Sequence, residues 1–218
     1  MNIGLNIGHY GTKGAIGFLD EANCAVEIYN ELKPLLEADG HKVIPCNNAQ
    51  PPDYKSATNL ANMYELDLVL SIHLNSSIFD TANGTEVLYY EGNEKGEKYA
   101  EDLSKAISSA LGTKNRGAKP RSDLYIIKNT KATCVLLECL FVSNEVDSKK
   151  YNAKAIAKAV ANCLKPSVAN ELETVNDIVW ELANRGVITN KELWLKKLEE
   201  DTDSYWLARK CANYIKGM

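Results

Sequence analysis

Four side chains that could carry out metal chemistry stand at the ends of predicted secondary-structure elements. His9, His73 and Glu138 each end an apolar run typical of a strand, and Glu21 opens the first long helical pattern. In an open parallel sheet, ligands collect beyond the carboxyl ends of the strands. We therefore expect two imidazoles and two carboxylates to meet at one edge of the sheet.

The four residues can be assigned to two roles, metal ligand and catalytic base, from what each role requires. Two histidines and one carboxylate, with a fourth position left for water, are the ligands of a zinc hydrolase. His9 and His73 at strand ends and Glu21 in the first turn of a helix are rigidly held, so we predict that they bind the metal. Glu138 ends a different strand, and we predict that it is the catalytic base. Each residue alone is weak evidence, because a strand-end histidine is more often structural.

The elements that must position these residues alternate along the first 165 residues. Strands are predicted at 3–7, 42–46, 66–73, 85–90, 124–127 and 134–138, and helices from about residue 21 to 36 and at 56–64, 95–111 and 153–164. A polar stretch through Gln50 is predicted to be a loop. This order indicates an α/β fold with a mainly parallel central sheet and helices on both faces.

A small all-helical module is predicted after the catalytic domain, which we place at residues 1–166. The module spans 171–218 and contains three helical patterns, at about 174–184, 190–200 and 204–216, with the tryptophans Trp180, Trp194 and Trp206. About 45 residues are marginal as an independent domain. We therefore expect the module to dock on the main domain, to target the enzyme or to form a homodimer.

Composition excludes several classes of protein. The 218 residues carry a net charge of −4, divided about equally between the two predicted parts, so we expect no nucleic-acid partner. The N-terminus lacks the pattern of a secretory signal and no apolar run is long enough to span a membrane, so we expect synthesis in the cytoplasm without membrane insertion. The six cysteines form no C-x-x-C pair, which favours reduced, buried thiols.

Five segments, in order over about residues 1–165, resemble the motifs of the zinc-dependent N-acetylmuramoyl-L-alanine amidases of the amidase-3 type. They are Ile7-Gly-His9, the glycine loop 14–17 with Glu21 behind it, Ser71-Ile-His-Leu-Asn-Ser76, Asn83-Gly-Thr-Glu-Val-Leu-Tyr-Tyr90, and Leu137-Glu-Cys-Leu-Phe-Val-Ser-Asn144 followed by Glu145. The resemblance implies one zinc ion on His9, Glu21 and His73, with Glu138 as the catalytic glutamate. It implies cleavage of the amide between N-acetylmuramic acid and L-alanine in peptidoglycan.

Smaller predictions concern the surroundings of this site. The resemblance places Ser71 and Asn75 beside it as supports. Asn6 stands where the family usually has aspartate, and it could orient a ligand through a hydrogen bond. Three basic residues, Arg116, Lys119 and Arg121, are predicted to form a solvated loop, with binding of stem-peptide carboxylates as the alternative. His41 is predicted to lie at the surface.

Two other functions remain open from the sequence. A zinc hydrolase of the same design could cleave a peptide bond or an N-acetyl group of the cell wall, or the chain could be a wall-binding module that has lost catalysis. The presence of Glu138 argues against the last. Without a predicted signal, an amidase of this type would act on the wall after release from the cell, as an endolysin does, or serve in sporulation or autolysis.

Overall fold

A computed structural model describes residues 1–47, 54–165, 175–200 and 208 of the chain. The chain separates into two compact units, Met1–Lys165 and Pro166–Met218. Trp206, Cys211 and the predicted loop through Gln50 lie outside the described residues, as does the predicted third helix of the tail except for Ala208.

The first unit is built on one six-stranded sheet with the order β2-β1-β3-β6-β4-β5. The strands are β1 (Asn2–Ile7), β2 (Lys42–Pro45), β3 (Leu68–Asn75), β4 (Thr85–Tyr90), β5 (Asn115–Arg121) and β6 (Thr133–Phe141). β2, β1, β3 and β6 run parallel, whereas β4 pairs antiparallel with β6 and carries β5 parallel to itself. The predicted mainly parallel α/β sheet is confirmed.

Helices cover both faces of this sheet. Residues of α1 (Glu21–Ala38), α3 (Glu94–Leu111) and α6 (Ala153–Leu164) join the larger core, and residues of α2 (Tyr54–Ala61) and α4 (Tyr125–Asn129) join the smaller core on the opposite face. A short α5 (Glu145–Ser148) follows β6. Because β3 and β6 are covered on both sides, most residues of these strands are apolar.

Two sequence predictions on the β4 side of the sheet are wrong. Residues 124–127 are rich in β-branched and aromatic side chains, but they begin α4, where Ile127 alone is fully buried. The strand lies earlier, in the segment predicted to be a basic loop. β5 contains Gly117 and Pro120, which are unfavourable in a central strand, yet it occupies the sheet edge, where proline is tolerated.

His41 is also not where it was predicted. It is 5% exposed, and its Nε2 atom lies 3.0 Å from the carbonyl oxygen of Leu164 at the end of α6. Burial is the main cause of its lowered pKa. His41 therefore joins β2 to α6, a contact between residues 123 positions apart that no local pattern shows.

The described part of the second unit contains α7 (Val175–Asn184) and α8 (Lys191–Glu200), close to the two predicted helices. They share an apolar core that includes Ile178, Leu182 and Leu198. Trp194 packs against this core, whereas Trp180 is 55% exposed and lies under the ammonium group of Lys191. Aromatic filling thus accounts for one of the two described tryptophans.

None of the helices in the described ranges combines the length and the apolar character needed to cross a lipid bilayer. The five cysteines in these ranges, Cys24, Cys46, Cys134, Cys139 and Cys163, are unpaired, and the first four are buried.

Candidate metal centre

His9, Glu21 and His73 converge at the carboxyl edge of the sheet. One potential ligand atom from each lies within 4.8 Å of the other two. The Glu21 carboxylate sits between the rings, with Oε1 3.0 Å from His73 Nδ1 and Oε2 3.4 Å from His9 Nε2. The two rings meet edge to face, with centroids 5.1 Å apart. The spacing suits one small cation bound by three side chains.

Glu21 is fixed by the backbone as well as by the histidines. The amide of Ala15 donates to Oε2 at 2.8 Å, and the amide of Leu74 donates to Oε1 at 3.2 Å. The side chain is only 5% exposed, and it stands in the first turn of α1, where the helix dipole favours a negative charge. The carboxylate is therefore held in place before any metal binds.

The loop between β1 and α1 needs glycine where it passes these side chains. A Cβ atom on Gly8 would lie 2.5 Å from His73 Cε1, and one on Gly14 would lie 2.8 Å from Glu21 Oε2. His9 itself adopts a left-handed backbone conformation, with φ of 56°. Non-glycine residues pay about 1 kcal/mol or more for this conformation, and such strain is concentrated at functional sites.

Electrostatics within the cluster favour an ionised Glu21 and a neutral His9. Burial lowers the pKa of His9, and the neighbouring Glu21 only partly opposes this effect. Burial also acts to raise the pKa of Glu21, but hydrogen bonds from His73 and from the Ala15 amide outweigh it, so the pKa is lowered overall. Neutral imidazole and ionised carboxylate are the forms that bind metals.

Glu138 lies beside this cluster, on the neighbouring strand. It is the register partner of His73 between β3 and β6. Its Oε2 atom is buried, and no described residue offers it a hydrogen bond. Burial, reinforced by the charges of Glu21 and Glu86, raises the pKa of Glu138 to about 8. A buried polar atom without a partner is costly, and its presence beside a metal-type cluster points to chemical use.

The residues predicted to support the site, Asn6, Ser71 and Asn75, bond to neighbouring polar groups. Asn6 does not orient a ligand through its amide: Oδ1 accepts from Ser71 Oγ at 2.8 Å, and Nδ2 donates to the Cys46 carbonyl at 2.8 Å. Asn6 and Ser71 therefore join β1 to β3 beneath the two histidines. Asn75, at the end of β3, donates to Glu86 Oε1 at 2.7 Å.

The sequence prediction missed Glu86 as part of this neighbourhood. Glu86 on β4 faces Glu138 across the antiparallel pairing with β6, and its Oε2 accepts from Arg116 Nε at 2.6 Å. The alternation of side chains along β4 places Glu86 on the same sheet face as Leu88. The sequence does not show which strand pairs with β4. The signal for Glu86 in the sequence is that a charged residue stands inside an otherwise mainly apolar strand.

A cavity of about 720 Å³ opens beside the histidines. Its lining includes Ser71, His73 and Leu136 from the sheet and Leu124 and Tyr125 from the start of α4. Leu136 precedes Glu138 by two residues, so Glu138 projects from the same sheet face. The fold and site together define an α/β protein with a candidate metal centre beside a cavity and an acidic group, Glu138, on the neighbouring strand.

Comparison with known proteins identifies the family of this chain. It matches the N-acetylmuramoyl-L-alanine amidase family over residues 3–170 and belongs to that family. Its relatives include the N-acetylmuramoyl-L-alanine amidase LytC of Bacillus subtilis, which is 32% identical over 142 residues, covering 63% of this chain and 28% of LytC. The chain spans about half the length of the first curated relatives that it matches.

Solved structures agree with this assignment. The catalytic domain of the CD27L endolysin targeting Clostridia difficile is 30% identical, with a TM-score of 0.66, over 75% of this chain and 96% of that domain. The CwlD amidase from Clostridioides difficile, solved in complex with the GerS lipoprotein, shares the fold, with a TM-score of 0.70 and 23% identity over 77% of this chain and 98% of CwlD.

Proposed function

We propose that this protein is a zinc-dependent amidase that hydrolyses the bond between N-acetylmuramic acid and L-alanine in peptidoglycan. Membership of the N-acetylmuramoyl-L-alanine amidase family supports the bond that is cleaved. The observation that carries the mechanism is the convergence of His9, Glu21 and His73 beside an acidic group, Glu138, that lacks a partner among the described residues.

The donor set fits zinc. Two imidazole nitrogens and one carboxylate oxygen are common ligands of a catalytic zinc ion, and they leave a position open. Glu21 makes close polar contacts with both histidines, so the three side chains already lie together where a cation would bind. Bound zinc would supply a Lewis acid that polarises the amide carbonyl and makes water reactive near neutral pH.

The protein's own residues supply the remaining requirements. Glu21 arrives preoriented by two backbone amides, so little ordering is needed when the metal binds. Glu138, ionised by a nearby cation, takes a proton from the attacking water and then gives it to the nitrogen of the leaving alanine. The cavity beside His73 provides room for the substrate next to these groups.

The proposal also includes where the protein acts. A protein of this kind would act on the cell wall after it leaves the compartment of synthesis. The similarity to the catalytic domain of an endolysin and to LytC supports wall cleavage of either the lytic or the autolytic kind.

The test is to incubate the protein with purified cell walls, with and without a metal chelator, and to identify the new amino termini. We expect fresh N-terminal alanine that disappears with the chelator and returns with zinc. Other new termini would indicate a peptidase, free acetate a deacetylase, and binding without release a wall-binding module. Each of these three results would contradict the proposal.

A matched pair of variants tests the role of Glu138. Glu138→Gln should bind zinc normally and lose at least about a hundredfold in turnover, because general acid–base catalysis contributes factors of this size. Glu145→Gln, four residues beyond the end of β6 and paired on the surface with Lys149, should keep full turnover. Full turnover in Glu138→Gln would remove the assigned base.

A further inference from the structure

Arg116 is held in one orientation at the edge of the candidate active site. Its Nε atom donates to Glu86 Oε2 at 2.6 Å, and Nη1 donates to the carbonyl of Asn83 at 3.3 Å. The guanidinium group lies 5.1 Å from the centre of the Phe141 ring. An arginine fixed by an ion pair and an aromatic ring has lost most of its freedom, so it can bind a further ligand without much added ordering cost.

The guanidinium group keeps hydrogen-bond donors for such a ligand. Among the described residues, none accepts a hydrogen bond from Nη2 of Arg116, and its side chain is 32% exposed. Arg121, on the same strand, differs because its Nε and Nη2 atoms already form a two-pronged pair with Asp123, at 2.8 and 2.7 Å. Of these two arginines, Arg116 has the edge available for an anion.

The position of Arg116 relates it to the bond that is cleaved. Its partner Glu86 faces Glu138 across β4 and β6, and Glu86 also accepts from Asn75, two residues beyond His73. Phe141, beneath the guanidinium group, follows Glu138 by three residues on β6, a rise of roughly 10 Å. In an extended peptide the second residue lies roughly 7 Å from the nitrogen of the first residue. A peptide that extends from Glu138 along β6 therefore covers most of the distance to Phe141.

We propose that Arg116 binds a free carboxylate on the second residue of the peptide that leaves with the alanine. This inference rests on the proposed amidase function, and it adds a specificity determinant to it. Arginine and carboxylate form a matching fork of two hydrogen bonds, which a neutral carboxamide cannot reproduce. Arg116 thus distinguishes stem peptides with a free acid at this position from those in which the acid is amidated.

The proposal separates the three basic residues of β5. Arg116 contacts the substrate, Arg121 is committed to Asp123, and Lys119 lies three residues from Arg116 along the strand. A general attraction of the basic strand for acidic peptides would be weakened by loss of any of the three. A specific subsite would be lost only with Arg116. Lys119→Gln, which removes the same charge, is therefore the matched control.

The experiment uses two soluble muramoyl peptides that differ only in a carboxylate or a carboxamide on the second residue. We measure kcat and KM for the zinc-loaded full chain and for the Arg116→Gln and Lys119→Gln variants. We expect the native chain and Lys119→Gln to prefer the carboxylate by roughly tenfold in kcat/KM, mainly through KM. Arg116→Gln should treat the two peptides alike.

Other outcomes overturn the inference in recognisable ways. A purely structural role of Arg116, acting through Glu86 and Asn75, would lower turnover of both peptides equally and preserve their ratio. Equal treatment of the two peptides by the native chain, or loss of the preference in Lys119→Gln, would also contradict the assignment.

Direct binding keeps this test separate from the proposed function. We measure equilibrium binding of the same two peptides to the native chain and to Arg116→Gln by calorimetry. Tighter binding of the carboxylate peptide that depends on Arg116 would support the subsite even if no alanine were released. Release of alanine without this difference in binding would leave the amidase function standing and refute the subsite.

Discussion

Glu138 illustrates at the level of one residue how a proposed catalytic group weakens the fold that carries it. Its buried Oε2 has no hydrogen-bond donor among the described residues, and two neighbouring carboxylates add repulsion. Its pKa is about 8, compared with about 4.5 for an ordinary glutamate. The folded protein therefore holds a proton on this group over a range of pH in which the unfolded chain has released it.

This difference predicts how stability depends on pH in the metal-free protein. Between about pH 4.5 and 8, folding takes up a proton at Glu138, so the contribution of this residue falls as the pH rises. Glu138→Gln abolishes this titration. We expect the variant to match the native chain near pH 4.5 and to exceed it by about 4 kcal/mol at pH 8.

Urea unfolding in the presence of a chelator, at pH 5 and pH 8, measures this effect. The exposed Glu145→Gln variant is the control, and its stability difference from the native chain should change little between the two pH values. A Glu138→Gln variant that is less stable than the native chain at pH 8 would show that the carboxylate has a stabilising partner in solution.

The site could be predicted from sequence as far as strand ends could be recognised. His9, His73 and Glu138 end apolar runs on parallel strands. This pattern alone predicts that they lie at the same edge of the sheet. Glu86 and Arg116 could not be placed in the same way. Their positions depend on the antiparallel pairing of β4 with β6, which joins segments about fifty residues apart.

At the level of elements, the short helix α5 ties the segment before β4 to the end of β6. Asp147, 2% exposed, accepts from the amide of Gly84 at 2.7 Å and from that of Phe141 at 3.1 Å. Asn144 caps the helix by accepting from the amide of Asp147. These bonds fix the start of β4 against the end of β6, and thereby place Glu86 opposite Glu138.

Asp147→Ala should destabilise the protein by about 2–4 kcal/mol, because two amides that it now satisfies would lose a charged acceptor. The measurement is thermal or urea unfolding of the full chain. Lys149→Ala, which removes only a surface ion pair with Glu145, should cost less than about 0.5 kcal/mol. Similar losses for the two variants would contradict the assigned role of Asp147.

The errors at 115–129 show what element prediction lacked. The run Leu124–Ile127 has the composition of a strand, but α4 covers the smaller core with one buried side chain, Ile127. β5 has the composition of a loop, and it pairs along β4 through six register positions. Backbone pairing with β4 decides the structure of β5, and the composition of a single segment does not show this partner.

At the level of the whole molecule, residues 1–165 contain the complete sheet, both of its cores and the candidate metal centre. We therefore expect a chain that ends at Lys165 to unfold cooperatively, within a few degrees of the first transition of the full chain. It should also keep its kcat on soluble muramoyl peptides. Loss of either property would show that the second unit is needed for the fold or for catalysis.

The second unit keeps its predicted roles, targeting and self-association, as open proposals. Light scattering of the full and the shortened chains distinguishes them. A dimer that becomes a monomer on truncation supports pairing through residues 171–218. A monomer in both cases rules pairing out and leaves targeting or docking on the main domain. A comparison of wall binding by the two chains then tests targeting.

The most direct test of the account is the location of zinc in crystals of the protein, measured by anomalous diffraction at the zinc absorption edge. We predict one strong peak bonded to His9, Glu21 and His73 at about 2.0–2.2 Å from each ligand atom, with Glu138 nearby but not bound to the metal. Zinc held by other side chains, or no zinc at this cluster after saturation, would contradict the account.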